Sequence, residues 1–202
     1  MYTIDKQYQE RQEIKKSEFI CTLIPVTSID DVNTNLSTIR KKYYDATHNC
    51  YAYIMGENGE IVKCSDDGEP SQTAGVVILE ALKKNDLTNV LAVVTRYFGG
   101  IKLGAGGLVR AYASSTSLAI QSITKLKIEK CQDLTLTISY QNYNLIEKYL
   151  RDFKEKEKTF TDIITITIII PISKTDELVN KLIEITKNDI KIIKGNVESR
   201  VL

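Results

Sequence analysis

The sequence predicts an α+β protein with two domains. Apolar residues recur in steps of three and four in some segments and alternate in others, so helices and strands are mixed along the chain. Near residue 131 the composition changes from one rich in Ala, Gly and Val to one in which Ile and Thr alternate. The 202 residues suffice for two small domains, which we expect at residues 1–128 and 129–202.

The composition excludes several classes of protein. With 43% hydrophobic and 26% charged residues, and only 10 Gly and 3 Pro, the chain is neither disordered nor collagen-like. A net charge of +1 means that any polyanion binding depends on local charge. Neither the amino terminus nor the short apolar run at 163–172 suits a signal or a membrane span, so we expect a cytoplasmic protein. One His and four scattered Cys predict no metal, cofactor or disulfide.

The elements of the first unit follow from its periodicity. Ser28 opens an S-x-x-D capping pattern before apolar residues at helical spacing, and an Asn-Gly pair at 57–60 marks a hairpin turn. Val90–Val94 is a continuous apolar run, typical of a strand that is buried on both faces. The predicted elements are extended segments at Ile14 and Phe19–Val26, a helix from Ser28 to about Tyr43, strands at Asn49–Met55 and Ile61–Cys64, a helix at Ala74–Lys84, the strand at Val90 and a helix at Gly106–Ile123.

The second unit has the order βαββαβ, which predicts a ferredoxin-like fold. Its alternating strands and helical stretches have the right number and length for an independent small domain. Ser173–Asp176 has the pattern of a helix cap. The predicted elements are strands at Leu134–Ile138, Lys158–Phe160, Ile163–Ile170 and Ile190–Val201, with helices at Asn142–Phe153 and from Ser173.

A glycine-rich segment, Phe98–Arg110, contains half of the glycines in the chain and joins a buried strand to a helix. Such a turn directs free N–H groups at one point and predicts a phosphate or nucleic-acid site. The alternative is that these residues only permit a tight turn and close helix packing. The glycines are Gly99, Gly100, Gly104, Gly106 and Gly107.

Charge in the same region favours anion binding. Leu87–Ile128 contains no Asp or Glu and carries a local charge of +5. Its Arg96–Phe98 segment combines a guanidinium with two aromatics, which suits phosphates and bases, although Tyr97 and Phe98 could instead cap the core while Arg96 pairs with a carboxylate. The cations of the stretch are Arg96, Lys102, Arg110, Lys125 and Lys127.

The remaining polar candidates lie in two short segments, residues 46–50 and residues 64–73. The second segment contains three carboxylates within four residues. They need a neutralising partner, which is Arg96, Lys102 or a divalent ion. The alternative is an Asx-rich turn with Thr73 as a helix N-cap. His48 is the only imidazole and a candidate general acid or base. The catalytic candidates are therefore His48, Asp66, Asp67 and Glu69.

Three long segments resemble the signature motifs of the IMPACT/YigZ family, and they occur in the family's order. They are residues 46–53 (ATHNCYAY), 66–75 (DDGEPSQTAG) and 93–112 (VVTRYFGGIKLGAGGLVRAY). Gln72 stands where the family often has Gly, and residues 76–77 stand where a Pro is common. The rest of the chain is similar to the last domain of elongation factor G.

The resemblance implies an amino-terminal domain with a left-handed βαβ crossover, shared with GHMP kinases and domain IV of elongation factor G. For bacterial members it implies nucleic-acid binding or a role around translation. Eukaryotic relatives restrain a starvation-sensing kinase that phosphorylates an initiation factor, which implies a regulatory role by binding a protein partner. The matching positions imply a shared polar surface. They are Thr47, His48, Asp66, Asp67, Glu69, Thr73, Arg96, Tyr97, Lys102 and Arg110.

Three functions remain open from the sequence. The leading hypothesis is a non-catalytic protein that binds RNA or the ribosome through the basic glycine-rich segment. The second is an enzyme acting on a small phosphorylated substrate, with Asp66 or Asp67 on a metal and His48 or a carboxylate moving a proton. The third is a regulator of translational stress signalling that binds a protein partner.

Overall fold

The structure, a computed structural model, describes residues 1–201 and divides into a unit of residues 1–128 and a second unit that begins at Glu129. The boundary falls inside a single strand, β7 (Lys125–Ile138), so no linker segment separates the two units. The earlier elements are β1 (Tyr2–Ile4), β2 (Tyr8–Ile14), β3 (Ser17–Pro25), α1 (Ile29–Lys42), β4 (His48–Met55), β5 (Ile61–Ser65), α2 (Gly75–Lys84), β6 (Val90–Tyr97) and α3 (Ala105–Gln121).

The first unit contains an antiparallel sheet in the order β2-β3-β6-β4-β5. Since β3 and β4 both run antiparallel to β6, they are parallel to each other and form a βαβ unit with α1. Helices α2 and α3 pack on one face of the sheet and α1 on the other. In β6, Ala92 and Val94 face α2 and α3 while Leu91 and Val93 face α1, which confirms a strand buried on both faces.

The second unit continues with α4 (Tyr140–Leu150), β8 (Lys154–Phe160), β9 (Ile164–Pro171), α5 (Ile172–Ile185) and β10 (Lys191–Val201). Its strands lie in the order β10-β7-β9-β8, with β10 and β9 on either side of β7. This is the ferredoxin-like arrangement, and the predicted α+β class is confirmed. Alternate Ile residues of β9 point into a core shared with α4 and α5.

The differences from prediction have local causes. The expected cap at Ser173 is wrong: α5 begins at Ile172 with Pro171 at the N-cap, because the fixed φ of Pro171 (−58°) suits the entry to a helix. Strand β1 and most of β2 were missed, since a short segment and a polar alternating one carry little apolar signal. No helix within residues 1–201 has the length and apolarity needed to cross a membrane.

Candidate nucleic-acid interface

The candidate residues meet at one end of the first sheet. Strand β4 begins at His48 and the antiparallel β6 ends at Tyr97, so His48 and Arg96 are direct cross-strand partners. The acidic segment that follows β5 and the glycine-rich loop that precedes α3 close over the same end. Segments far apart in sequence are therefore combined into one site by strand pairing.

A buried ion pair forms the base of the site. The Arg96 guanidinium donates from Nη1 to Oε1 of Glu69 at 2.6 Å, and their side chains are only 6% and 2% exposed. The Tyr112 hydroxyl donates to the same oxygen at 2.7 Å, and burial raises the pKa of this phenol far above its usual range. Arg96 also lies between two aromatic rings, with its guanidinium carbon 5.5 Å from the centre of Phe19 and 5.6 Å from that of Phe98.

Part of this centre has no hydrogen-bond partner. The Nε–H of Arg96 is buried without an acceptor, and within residues 1–201 nothing donates a hydrogen bond to Oε2 of Glu69. Buried polar groups are normally satisfied by protein, water or ligand. The ion pair therefore keeps unused hydrogen-bonding capacity beside the pocket.

His48 is held in one orientation against Glu69. Its Nδ1 lies 2.8 Å from the Asp67 carbonyl oxygen, which can only accept, so Nδ1 carries the proton. The other nitrogen, Nε2, lies 3.8 Å from Oε2 of Glu69. In the neutral imidazole, Nε2 is therefore an acceptor beside the pocket.

The two adjacent aspartates shape the backbone. Asp66 accepts from the N–H groups of Gln72, Ala74 and Gly75, at 2.8–3.0 Å, and so caps the start of α2. The expected N-cap at Thr73 is wrong, because Ala74 holds that position and the Thr73 hydroxyl donates to a carbonyl. The alternative of an Asx-rich turn describes this segment well.

Asp67 has a similar structural role. Its carboxylate accepts from the N–H of Asn49 at 2.7 Å and from the Arg40 guanidinium at 3.1 Å. The neutralising cations are thus Arg96 for Glu69 and Arg40 for Asp67. Among residues 1–201 no cluster of three or more His, Cys, Asp or Glu side chains has an arrangement that could hold a metal ion.

A cavity of about 280 Å³ lies under the glycine-rich loop and above the ion pair. Its walls are mainly apolar, from Pro70, Phe98, Leu103 and Leu108, while His48, Glu69, Arg96 and Lys102 supply the polar part of the lining. Tyr97 is absent from this lining: it packs with the α1 cluster on the opposite face, and its hydroxyl donates to Asp45. The alternation of β6 thus separates Arg96 from Tyr97.

The glycines of the loop have different roles. A side chain at Gly99 would collide with the Lys16 carbonyl, 1.9 Å from its Cβ, so close backbone approach requires glycine there. Gly100 and Gly104 have positive φ angles, of 82° and 72°. A Cβ at Gly106 would meet nothing closer than Arg110 at 3.6 Å, and Gly107 would contact Leu103 at 3.0 Å. Steric crowding therefore does not explain Gly106.

The start of α3 is an open hydrogen-bond donor site. Gly104 is its N-cap and offers no side chain, and the first turn contains no acidic residue. The N–H groups of Ala105, Gly106 and Gly107 have no acceptor among residues 1–201. Together with the helix dipole, these groups favour an anion at this position.

Four exposed cations lie around this end of the unit. Lys102 precedes α3, and the Arg110 guanidinium lies against Gly106. Lys15 and Lys16 form the β2–β3 turn, whose backbone contacts Gly99. None of the four forms an ion pair with another residue in the described chain. By contrast, Lys125 and Lys127 lie on β7 beyond the far end of α3, about 25 Å along that 17-residue helix.

Sequence reasoning missed Lys15, Lys16 and Tyr112. The two lysines occupy a two-residue hairpin turn with φ angles of 47° and 64°, where Asn and Gly are preferred, so a Lys-Lys pair between alternating strands was the available signal. Tyr112 gave no signal, because an aromatic residue in a helix reads as core. The Cys50 sulfur lies 2.9 Å from the Asp66 carbonyl oxygen and 3.3 Å from the Tyr112 hydroxyl oxygen, and its thiol has one hydrogen to donate. Burial raises the pKa of this thiol to about 12, so Cys50 is unreactive and fills space in the core.

Comparison with known proteins supports one family. The family model described as the Impact N-terminal domain matches residues 15–120, and a domain of unknown function, DUF1949, matches residues 136–188. IMPACT family member YvyE of Bacillus subtilis is 40% identical over 94% of this chain and 89% of its own length. IMPACT family member YigZ of Escherichia coli is 31% identical over 90% of this chain and 91% of its own.

A solved structure shares the fold. The crystal structure of a hypothetical protein superposes with a TM-score of 0.62 at 28% identity, covering 95% of both chains. The two family models match successive parts of the chain, one in each structural unit. The protein is therefore a member of the IMPACT family.

Proposed function

We propose that the protein binds RNA, free or in the ribosome, without catalysis, and that this binding serves the control of translation. Membership of the IMPACT family supports the translation context, as does the resemblance of both units to domains of elongation factor G. The proposed contact surface is the end of the first unit around the glycine-rich loop. RNA phosphates would meet the rim cations, namely Lys15, Lys16, Lys102 and Arg110.

The observation that carries the proposal is that these four cations are exposed and have no acidic partner in the described chain. Lys15 and Lys16 also occupy left-handed backbone positions that cost free energy for residues other than Gly and Asn. The turn that they form packs against Gly99 of the loop that leads to the open start of α3, so a phosphate at this end of the unit would meet their charges.

The test is binding of the full chain to structured and single-stranded RNA, followed by fluorescence anisotropy across a salt series. Each of Lys15→Ala, Lys102→Ala and Arg110→Ala should weaken binding and lower the salt slope by about 0.7 to 0.9 per lost contact. Lys84→Ala is the matched control, because Lys84 is exposed at the carboxyl end of α2, away from the loop.

Binding that is absent, independent of salt, or equally weakened by Lys84→Ala would refute the proposal. Replacing Lys15-Lys16 by Asn-Gly sharpens the test, since that pair suits the tight turn and should stabilise the hairpin. A protein that becomes more stable but binds RNA less tightly would separate the role of the charges from folding.

A second candidate function is favoured by the orientation of His48. With Nδ1 fixed by the Asp67 carbonyl, Nε2 can accept a proton from a water molecule in the cavity, which would attack the phosphorus while the P–O bond to the alcohol breaks and the alcohol leaves. The protein would then act on a small phosphorylated substrate held at the start of α3. Release of phosphate from nucleoside monophosphates that disappears in His48→Gln would support this function, and no turnover by the wild-type protein would reject it.

A further inference from the structure

We infer that the cavity under the glycine-rich loop is a pocket for one nucleotide, with a guanine base inside it and the phosphate at the start of α3. This inference rests on the proposed RNA binding and assigns the pocket a role within it. It identifies the part of the site that reads a base, whereas the rim cations contact phosphates without regard to sequence.

The size and walls of the cavity suit a single base. Its volume of about 280 Å³ lies just below the range of roughly 300–1,000 Å³ found for drug-sized ligands. Phe98, Leu103 and Leu108 provide apolar surface for the faces of a ring system. Phe98 is 47% exposed, so its ring is also accessible from outside the pocket.

The polar groups at the base of the cavity determine which nucleic-acid base can present its hydrogen-bonding edge to them. Oε2 of Glu69 receives no hydrogen bond in the described chain, and Nε2 of a neutral His48 is a second acceptor. Nη2 of the Arg96 guanidinium supplies a donor, because it has no acceptor within residues 1–201 and, unlike Nε, it is not fully buried. Two acceptors and a donor complement the Watson–Crick edge of guanine, which has two N–H donors beside a carbonyl oxygen.

The same groups reject a phosphate inside the cavity. Oε2 of Glu69 is part of a carboxylate and repels an anion, whereas the amide and amine hydrogens of a base are attracted to it. The phosphate instead fits at the mouth, where the N–H groups of Ala105–Gly107 are open and Lys102 adds a positive charge. Charge therefore orients a nucleotide in one direction, with its base inward.

The first experiment measures binding of GMP, AMP, CMP and UMP to the full chain by isothermal titration calorimetry. GMP should bind at least about tenfold more tightly than the others. Guanosine should bind more weakly than GMP, and Lys102→Ala should remove most of that difference. Equal binding of all four nucleotides, or none, would overturn the assignment of the pocket.

Two variants test which side chains of the cavity bind GMP. Glu69→Gln replaces an acceptor by an amide and should abolish the preference for GMP, with circular dichroism to check that the chain is folded. Phe98→Ala removes an exposed wall residue and should weaken GMP binding at least about fivefold. Phe160→Ala, on an exposed side chain of β8, is the matched control and should change nothing.

The outcomes separate this inference from the proposed function. If RNA binds in a salt-dependent way but GMP does not, the pocket assignment fails while RNA binding stands. If GMP binds but RNA does not, the pocket is supported as a site for a free nucleotide and the RNA proposal fails. If neither ligand binds, both are refuted.

Discussion

Each unit has a cluster of charged side chains on its sheet, and the two clusters differ in their exposure to solvent. In the first unit the Glu69–Arg96 pair is almost fully buried beneath a cavity. In the second unit Asp133 accepts hydrogen bonds from Lys156 and Arg200, each at 2.6 Å, and all three side chains keep contact with solvent. Burial of ions is costly, whereas an exposed network costs little.

The two units also differ in how regular their local structure is around the charged cluster. In the second unit β9 alternates regularly, and Ser139 caps α4. At the end of the first unit around the cavity, a buried ion pair, an open helix start and two adjacent lysines at positive φ occur together. Departures of this kind are expected at functional sites.

The largest effect is expected when one member of the buried Glu69–Arg96 pair is removed. Arg96→Met leaves the Glu69 carboxylate buried beside Tyr112 without its cation, and should lower the free energy of unfolding of the first unit by about 3–5 kcal/mol. Urea unfolding, with hydrogen exchange at β3 and β6 to identify the unit, measures the loss.

The double variant Arg96→Met with Glu69→Leu removes both charges and should recover most of that loss, since apolar replacements of a buried pair are often neutral. A single variant that loses under about 1 kcal/mol would show that the pair behaves like an exposed one. The contrast between the two units would then be wrong.

Periodicity was sufficient to predict most of the fold. Runs such as Val90–Val94 and the Ile-Thr alternation of β9 carry their burial pattern in the residue types themselves. The βαββαβ order of the second unit followed directly. Strand β1 was not predicted, because it pairs with Lys125–Lys127, more than 120 residues away. A pairing between such distant segments leaves no pattern in the local sequence.

The site was predictable in its residues and less so in their roles. The carboxylate partner of Arg96 was foreseen, but Glu69 could be distinguished from Asp66 and Asp67 only once strand pairing had placed His48 beside Arg96. Likewise the +5 segment reads as one charge cluster in sequence. In the structure it is divided, because α3 carries Lys125 and Lys127 away from Lys102.

An effect of intermediate size is expected from a variant at the open start of α3, and this variant tests whether that start binds a ligand. Gly106→Ala should raise the stability of the first unit by about 1 kcal/mol, because the helix gains a better former and the new Cβ meets no close atom. RNA affinity should fall, since the methyl group covers N–H groups at the mouth of the pocket. Thermal unfolding and anisotropy measure the two effects.

Ser117→Ala is the control for this change. Ser117 is exposed in the middle of α3, so its replacement should stabilise the helix by a few tenths of a kcal/mol without any effect on binding. If Gly106→Ala gained stability and kept full RNA affinity, the glycine would have no functional role, and the first unit would lose one of its distinguishing features.

The smallest effect is expected in the second unit and depends on pH. Two hydrogen bonds, the larger contribution from Arg200 and the smaller from Lys156, hold the pKa of Asp133 below its usual range. A carboxyl with a lowered folded pKa contributes stability above its unfolded pKa of about 3.9, and loses it as the pH falls through the folded value. Asp133→Asn should therefore cost no more than about 1 kcal/mol at pH 7, and this cost should vanish once the pH is below the folded pKa.

Hydrogen exchange of β7 and β9 between pH 7 and pH 3, completed by urea unfolding at lower pH, follows this difference. Asp162→Asn is the matched control, since Asp162 is exposed in the turn between β8 and β9 and forms no ion pair within residues 1–201. A loss at pH 7 as large as that of Arg96→Met would mean that the Asp133 network is effectively buried. Both units would then hold their charges in the same way, and the first unit would differ in its cavity, its open helix start and its turn lysines.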